Sequence, residues 1–240
     1  LISPSKKPFY KNQKTYDFVA MTPTQAFNSL SELGKVKKLI VGGAYVSLSL
    51  QKSLIKAKVN AFETYGMMET LSHIAIRTMT DPVSEFECLP DVKVQQDERK
   101  CLVINAPKLD VKHLITNDQV ELLSSTRFRL IGRIDNVINS GGFKLHPEQI
   151  ERKLSKNLSF HFFIDSISDS LLGEKVVLVV KDDPQIEFKK LHKQIKECTS
   201  LEACEIPKAI ICVKDFIQTY SGKIKRKASM DQKPQRTLNL

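Results

Sequence analysis

No apolar run in this chain of 240 residues approaches the roughly 20 needed to cross a bilayer, which excludes a helical membrane span. The opening LISPSKKPFYKNQK lacks the ordered charged, apolar and cleavage regions of a signal peptide, and it has no initiator methionine, so a chain truncated at its start is expected. Five cysteines, an odd count without any Cys-x-x-Cys pair, exclude a regular disulfide scaffold or zinc ribbon and read as buried thiols of a reducing, cytoplasmic setting. Five scattered histidines form no His-x-x-x-His pair, which excludes a dedicated metal cage. There is no internal repeat and no low-complexity segment. The net charge of +10 is spread over several separate places, and aromatic residues do not interleave with the lysines. That pattern argues against a nucleic-acid surface and suits sites for phosphorylated small ligands.

What is present is ordinary globular material, 41% hydrophobic and 27% charged. VKKLIVGGAYV reads as a buried strand ending in a glycine turn. SLSLQKSLIKAKVN reads as a helix capped by Ser47 or Ser49, and NAFETYG as a second strand closing on Gly66. Strand, helix, strand in this order predicts a parallel α/β unit with ligand-binding loops after the strand ends. From Ser72 to Leu130 the runs SHIAIRTM, DVKVQQ, KCLVINA, QVELL and RFRLIG predict short antiparallel strands, a small barrel or folded sheet. After Arg133 the pattern changes again. HPEQIERKLSK starts with proline at a first-turn position, FHFFIDSI, EKVVLVVKD and KAIICVKDF read as strands, and EFKKLHKQIKEC reads as a basic amphipathic helix. The expected fold is α/β plus α+β: residues 1–133 form an α/β unit with an antiparallel subdomain, and residues 134–240 a small α+β domain.

Seven of the nine glycines fall in four places: Gly42 with Gly43, Gly66, Gly132 with Gly141 and Gly142, and Gly222. Glycine is entropically costly except where backbone turns sharply or a ligand comes close, so this clustering favours sites. GGA at 42–44, YGMMET at 65–70, TND at 116–118, GRID at 132–135, SGG at 140–142 and SGKIKR at 221–226 together resemble, in order, the motifs of adenylate-forming enzymes. These are the acyl- and aryl-CoA ligases with their luciferase and peptide-synthetase relatives. FVAMTPTQ, the short segment between YGMMET and TND, and GRIDNVINSGG look most like the compact o-succinylbenzoate–CoA ligases of menaquinone synthesis.

The resemblance implies a chemistry: ATP activates a carboxylate as an acyl-adenylate, and the acyl group then passes to the thiol of CoA. It also implies roles. Gly42, Gly43 and Ala44 would lie along the adenine and acyl group, Tyr65, followed by Gly66, would offer its ring to the adenine, and Glu69 would hold Mg²⁺ through a hard carboxylate oxygen. Met68 stands where the family usually has a threonine touching the α-phosphate, and a thioether cannot donate that hydrogen bond. Asp118 and Arg133 would reach the ribose, although taken alone Asn117-Asp118 reads as a turn. Asp135 would be the hinge of a mobile C-terminal domain. Ser140, Gly141 and Gly142 would line the CoA path, and Lys223 would be the catalytic lysine of the first half-reaction, against the plainer reading of one cation in a basic tail with Lys225, Arg226 and Lys227.

The family's Ser/Thr/Gly-rich phosphate loop is absent, and no Gly-x-x-x-x-Gly-Lys-Ser/Thr replaces it. The expectation is therefore the later part of a ligase, inactive alone, whose partners are an aromatic carboxylate, ATP and CoA. A homo-oligomer is left open. The competing readings are a catalytically silent binding module that keeps the fold, or a ligase for another aryl or fatty acid.

Overall fold

A computed structural model describes residues 15–44, 46–80, 84–158, 160–184, 186–219 and 223–240. The chain divides into two compact units, Leu1–Leu130 and Ile131–Leu240.

In the first unit, β1 (Tyr16–Met21), α1 (Pro23–Asn28), β2 (Val36–Val41), α2 (Leu48–Lys56) and β3 (Ala61–Gly66) follow one another, and the three strands run parallel side by side. Local chemistry starts each helix. Thr22 accepts from Gln25 N–H while the Gln25 side chain accepts from Thr22 N–H, a reciprocal cap reinforced by Pro23 in the first turn. Ser47 caps α2 by accepting from Leu50 N–H at 3.2 Å, a contact of the kind whose loss costs about 1 kcal/mol. Leu50 and Leu54 of α2 then pack with Val19, Leu39 and Val41 of the strands beneath.

The strands β4 (His73–Thr78), β5 (Phe86–Cys88), β6 (Lys93–Gln96), β7 (Cys101–Ala106), β8 (Val111–Ser124) and β9 (Arg127–Arg133) form no separate barrel. Because β4 pairs antiparallel with β3, they continue the parallel strands as one nine-stranded sheet of order β1-β2-β3-β4-β5-β9-β8-β7-β6. A second core, around Ile74, Phe86, Leu102, Ile104 and Phe128, lies under this part.

The second unit contains β10 (Ile138–Ser140), β11 (Phe143–Leu145), α3 (Pro147–Leu154), β12 (Phe162–Asp169), β13 (Gly173–Lys181), α4 (Phe188–Lys196), β14 (Ala209–Val213), α5 (Arg226–Met230) and β15 (Arg236–Asn239). Its sheet runs β11-β10-β13-β14-β15, with β12 antiparallel to β13. β13 reads VVLVV because both of its faces are covered: Val176, Leu178 and Val180 join the core beneath α3 and α4, while Val177 and Val179 join Phe163, Ala209 and Ile211 on the other side. All five cysteines are free, but only Cys101, Cys198 and Cys212 are buried; Cys88 and Cys204 are half-buried at the margins of the cores, which corrects the expectation of five buried thiols. Among the described residues no helix is long and apolar enough to cross a membrane.

Candidate functional site

In the first unit the expected ligand loops share one end of the sheet. Gly42, Gly43 and Ala44 follow the last residue of β2, and Met67 to Leu71 follow the last residue of β3, its parallel neighbour. Loops at the carboxyl ends of adjacent parallel strands are where open α/β sheets collect ligands. Gly42 N–H donates to Met21 O at 3.1 Å, which fixes the start of the first loop to the end of β1. At Gly66 the β3–β4 register shifts, and a Cβ there would overlap the Ser72 carbonyl and His73 Cα, so only glycine fits the crossing.

Beyond Gly66 the chain makes a 3-10 turn, Met68–Thr70. Thr70 is fully buried and locks the turn: its hydroxyl accepts from Met67 N–H at 3.0 Å and reaches Ser72 O at 2.7 Å. Glu69 and Met68 are thereby held outward, Met68 being 89% exposed. Thr70 was not singled out from the sequence, where it reads as one more hydroxyl in a loop. Glu69 is a single exposed carboxylate, and among the described residues no group of three His, Cys, Asp or Glu gathers for a metal. That donor set fits Mg²⁺, which keeps most of its waters and takes one or two carboxylates together with substrate phosphates.

Taken alone TND reads as a turn, but its residues are held in a strand. Thr116, Asn117 and Asp118 lie inside β8, between the pairs Cys101–Gln119 and Val103–Ile115, so three residues oppose the single residue Leu102. The extra residues are absorbed as a bulge within the strand, a device that re-aims side chains. The bulge turns Asp118 inward: it is 9% exposed, its N–H donates to Thr116 Oγ1 at 3.1 Å, and its Oδ2 accepts from the Tyr65 hydroxyl at 2.7 Å. Tyr65 is 8% exposed and its ring packs edge-on against Phe128, with centroids 5.2 Å apart. The YGMMET and TND motifs, distant in sequence, are thus joined by one buried, charge-assisted hydrogen bond.

The remaining expected residues belong to the second unit. Arg133 Nη2 and Asp135 Oδ2 are 2.8 Å apart, both side chains 50% exposed, at a 3-10 turn (Ile134–Asn136) between β9 and β10. Ser140 is buried, and Gly141 (φ 56°) with Gly142 (φ 85°) forms the two-residue link between β10 and β11. Two successive positive φ values are what a tight primed hairpin turn requires, and glycine supplies them without strain. Lys223 is exposed. Its carbonyl accepts from Thr219 N–H at 2.8 Å and its N–H donates to Thr219 Oγ1 at 3.0 Å, while Lys225 N–H donates to Ile217 O. Ser221 and Gly222 of the same motif lie outside the described residues. A groove of about 540 Å³ is lined by Arg133, Asn136, Asp231 and the segment from Ile224 to Ala228, bringing the turn at Arg133 beside the chain that leaves Lys223. Arg226 is no tail cation. Its guanidinium turns inward to Glu151, with Nη1 and Oε1 2.6 Å apart.

No family model matches the chain. The 2-succinylbenzoate–CoA ligase of Escherichia coli is 23% identical to it over 197 residues, covering 74% of this chain and 43% of that protein; the chain thus spans less than half the length of this curated relative. The solved structure of o-succinylbenzoate CoA synthetase from Bacillus subtilis, in complex with the acyl-adenylate intermediate OSB-AMP, superposes with a TM-score of 0.77 at 16% identity over 91% of this chain and 51% of that one. The acyl-CoA synthetase (AMP-forming)/AMP-acid ligase II-like protein of Dyadobacter fermentans is 31% identical, with a TM-score of 0.52 over 94% of this chain and 68% of its own. With the ordered motifs and the joined strand ends, this similarity makes the chain a member of the adenylate-forming acyl-CoA ligase family.

Proposed function

We propose that the chain is the later part of an ATP-dependent carboxylate–CoA ligase whose favoured acid is an aromatic carboxylate of the o-succinylbenzoate type. In the first half-reaction a carboxylate oxygen attacks the α-phosphorus of ATP, and the bond to pyrophosphate breaks. In the second the CoA sulfur attacks the acyl carbon, AMP leaves with the bonding pair, and the thiol proton passes to solvent. The observation that carries this reading is the Tyr65–Asp118 hydrogen bond, because it joins two of the family's nucleotide motifs, while Gly42 of the third faces Thr64, the residue before Tyr65.

In this reading Gly42, Gly43, Ala44, Tyr65 and Gly66 border the adenine, and Asp118 and Arg133 serve the ribose. Glu69 is a ligand for Mg²⁺, which when bound offsets phosphate charge. Lys223 neutralises charge building between the carboxylate and the α-phosphate, the type of contribution worth about 3–4 kcal/mol elsewhere. Residues from 134 onward turn about Asp135 between the half-reactions, and the Ser140–Gly142 turn then borders the pantetheine. Small hinge segments that absorb φ/ψ change are the usual means of such a rotation.

A second reading, a silent binding module, is favoured by one observation: the exposed Met68 offers no hydrogen bond where the family presents a hydroxyl. The test is CoA-thioester formation by the complete protein with ATP, Mg²⁺ and a panel of aromatic and fatty acids. Thioester with o-succinylbenzoate above the rest is expected. Nucleotide binding without thioester from any acid would replace the ligase reading with the second one.

A further inference from the structure

Three residues after Lys223, the side chain of Arg226 leaves the surface and enters a buried polar cluster of the second unit. Nη1 donates to Glu151 Oε1 at 2.6 Å and Nη2 to Glu151 Oε2 at 3.1 Å, a fork on a carboxylate; Nη1 also reaches the Ile164 carbonyl. Glu151 Oε1 accepts from Ile164 N–H at 2.7 Å as well. The arginine side chain is 21% exposed and the glutamate 9%. One cluster therefore ties α3, β12 and the start of α5 together. Burial pushes the Glu151 carboxyl up from its usual range, while Arg226 draws it back.

One turn earlier on α3, Glu148 extends the cluster toward the turn at Asp135. Its Oε1 accepts from Asn136 Nδ2 at 2.6 Å and lies 3.6 Å from Arg226 Nη2, and its Oε2 is buried facing Gly132, without a partner among the described residues. On the other side of Lys223, Ile217 N–H donates to the buried Ser229 hydroxyl at 2.9 Å, so the paired segment around Gln218 and Ile224 is fastened to α5 as well.

A buried ion pair is a weak stabiliser, because desolvation offsets its attraction, but a bidentate fork fixes orientation. We propose that Glu148, Glu151 and Arg226 are positioning residues that set where Lys223 is presented relative to the 133–136 turn. Three residues of chain span at most about 10 Å, so an immobile Arg226 bounds the travel of the Lys223 backbone. Only the catalytic consequence rests on the ligase reading; the geometric claim concerns this unit alone.

Two measurements on Arg226→Lys test it, with Glu148→Gln as a milder variant in case the first folds poorly. Lysine keeps the charge and loses the fork. In amide hydrogen exchange, Thr219 and Lys225 should exchange about tenfold faster or more, while Val179 and Ile211 in β13 and β14 change by less than about twofold. In the complete protein, single-turnover adenylate formation should fall about tenfold with ATP affinity unchanged, and thioester formation from pre-made adenylate should stay within about twofold. Glu148→Gln should show the same pattern to a smaller degree. Unchanged Thr219 and Lys225 exchange, or equal acceleration across the whole unit, overturns the proposal. So does an equal loss in both half-reactions. If wild-type protein forms no adenylate from any acid, the ligase reading fails, and the exchange pattern alone decides the clamp.

Discussion

The two units hold their candidate functional groups in opposite ways. In the first, the groups are built into the sheet: Tyr65 and Asp118 are buried and bonded to each other, and only glycine fits at 66 because backbone passes close by. In the second, Lys223, Arg133 and Asp135 are exposed on short turns, and the buried order lies behind them in Glu151, Glu148 and Arg226. A pocket that receives a flat, apolar-faced ligand gains from groups fixed before it arrives. A cation that must reach developing charge gains from a free tip on an anchored base. Substitution should therefore damage stability in the first unit and rate in the second.

The largest effect should come from Lys223→Ala. Under the proposed mechanism it slows adenylate formation by about a hundredfold or more, comparable to losing one electrostatic donor, and leaves thioester formation from pre-made adenylate nearly intact. Because the side chain is exposed, the denaturation midpoint should not move. Paired single-turnover assays read this, and equal losses in both steps would remove the assigned role. In the first unit, Tyr65→Phe should do the reverse. It leaves the inward-turned Asp118 without its hydroxyl donor and should lower stability by about 1–3 kcal/mol. Urea denaturation measures it, and an unchanged midpoint would mean that the bond contributes nothing.

The same contrast explains what could be read from the sequence. The β2–α2–β3 unit was legible because its signals are local: an apolar run, a Ser47 cap, helical spacing and a closing glycine. β13 was legible from its unbroken VVLVV run. β1, β5, α5 and β15 were not: β1 buries Tyr16, Val19 and Met21 without strict alternation, and the other three are short and carry no apolar run of their own. The bulge at Thr116–Asp118 was missed because Asn-Asp favours turns locally, and only pairing with β7 keeps it in a strand. Family motifs marked Tyr65 and Asp118 separately, but nothing local says that they touch across 53 positions. Arg226 misled for a related reason: among three other basic residues it reads as solvated, and only tertiary pairing with Glu151 brings it inside.

Met68 sharpens the comparison at a smaller scale. The Met68–Thr70 turn is already locked by buried Thr70, so an exposed side chain at 68 can change without disturbing the sheet. Under the proposed function, Met68→Thr would supply a hydroxyl to the α-phosphate, and a hydrogen bond to a charged group is worth about 1.5–3 kcal/mol. Adenylate formation should rise by about tenfold with no change in the urea midpoint. A variant no faster than wild type would mean that position 68 does not face the phosphate.

The smallest effect concerns a ring nitrogen in the second unit that has no hydrogen-bond partner among the described residues. His146 precedes α3, and its Nδ1 is buried without a hydrogen-bond partner among the described residues, whereas the buried Asp118 of the first unit is bonded. Burial lowers its pKa from the ordinary 6.5, with the negative charge of Glu148 opposing. Below that ordinary value the unfolded chain binds a proton that the folded chain resists, so the folded state loses stability as pH falls from 6.5 toward the lowered folded value. Asp165 and Glu151, both pushed up by burial, act with the opposite sign in the acid range, so the wild-type curve alone would not isolate the histidine. Subtraction does. Asparagine is neutral at every pH and caps a helix well, so His146→Asn leaves the carboxyl contributions in place and removes only the histidine's. The variant's stability relative to wild type should grow as pH falls from 7 to 5, by no more than about 1.4 kcal/mol per pH unit. Amide exchange should place that gain in β13 and β14 rather than in β2 and β3. Parallel stability curves for the two proteins would show that His146 takes up its proton as readily folded as unfolded, and that the second unit tolerates its unpaired ring nitrogen at no cost in acid.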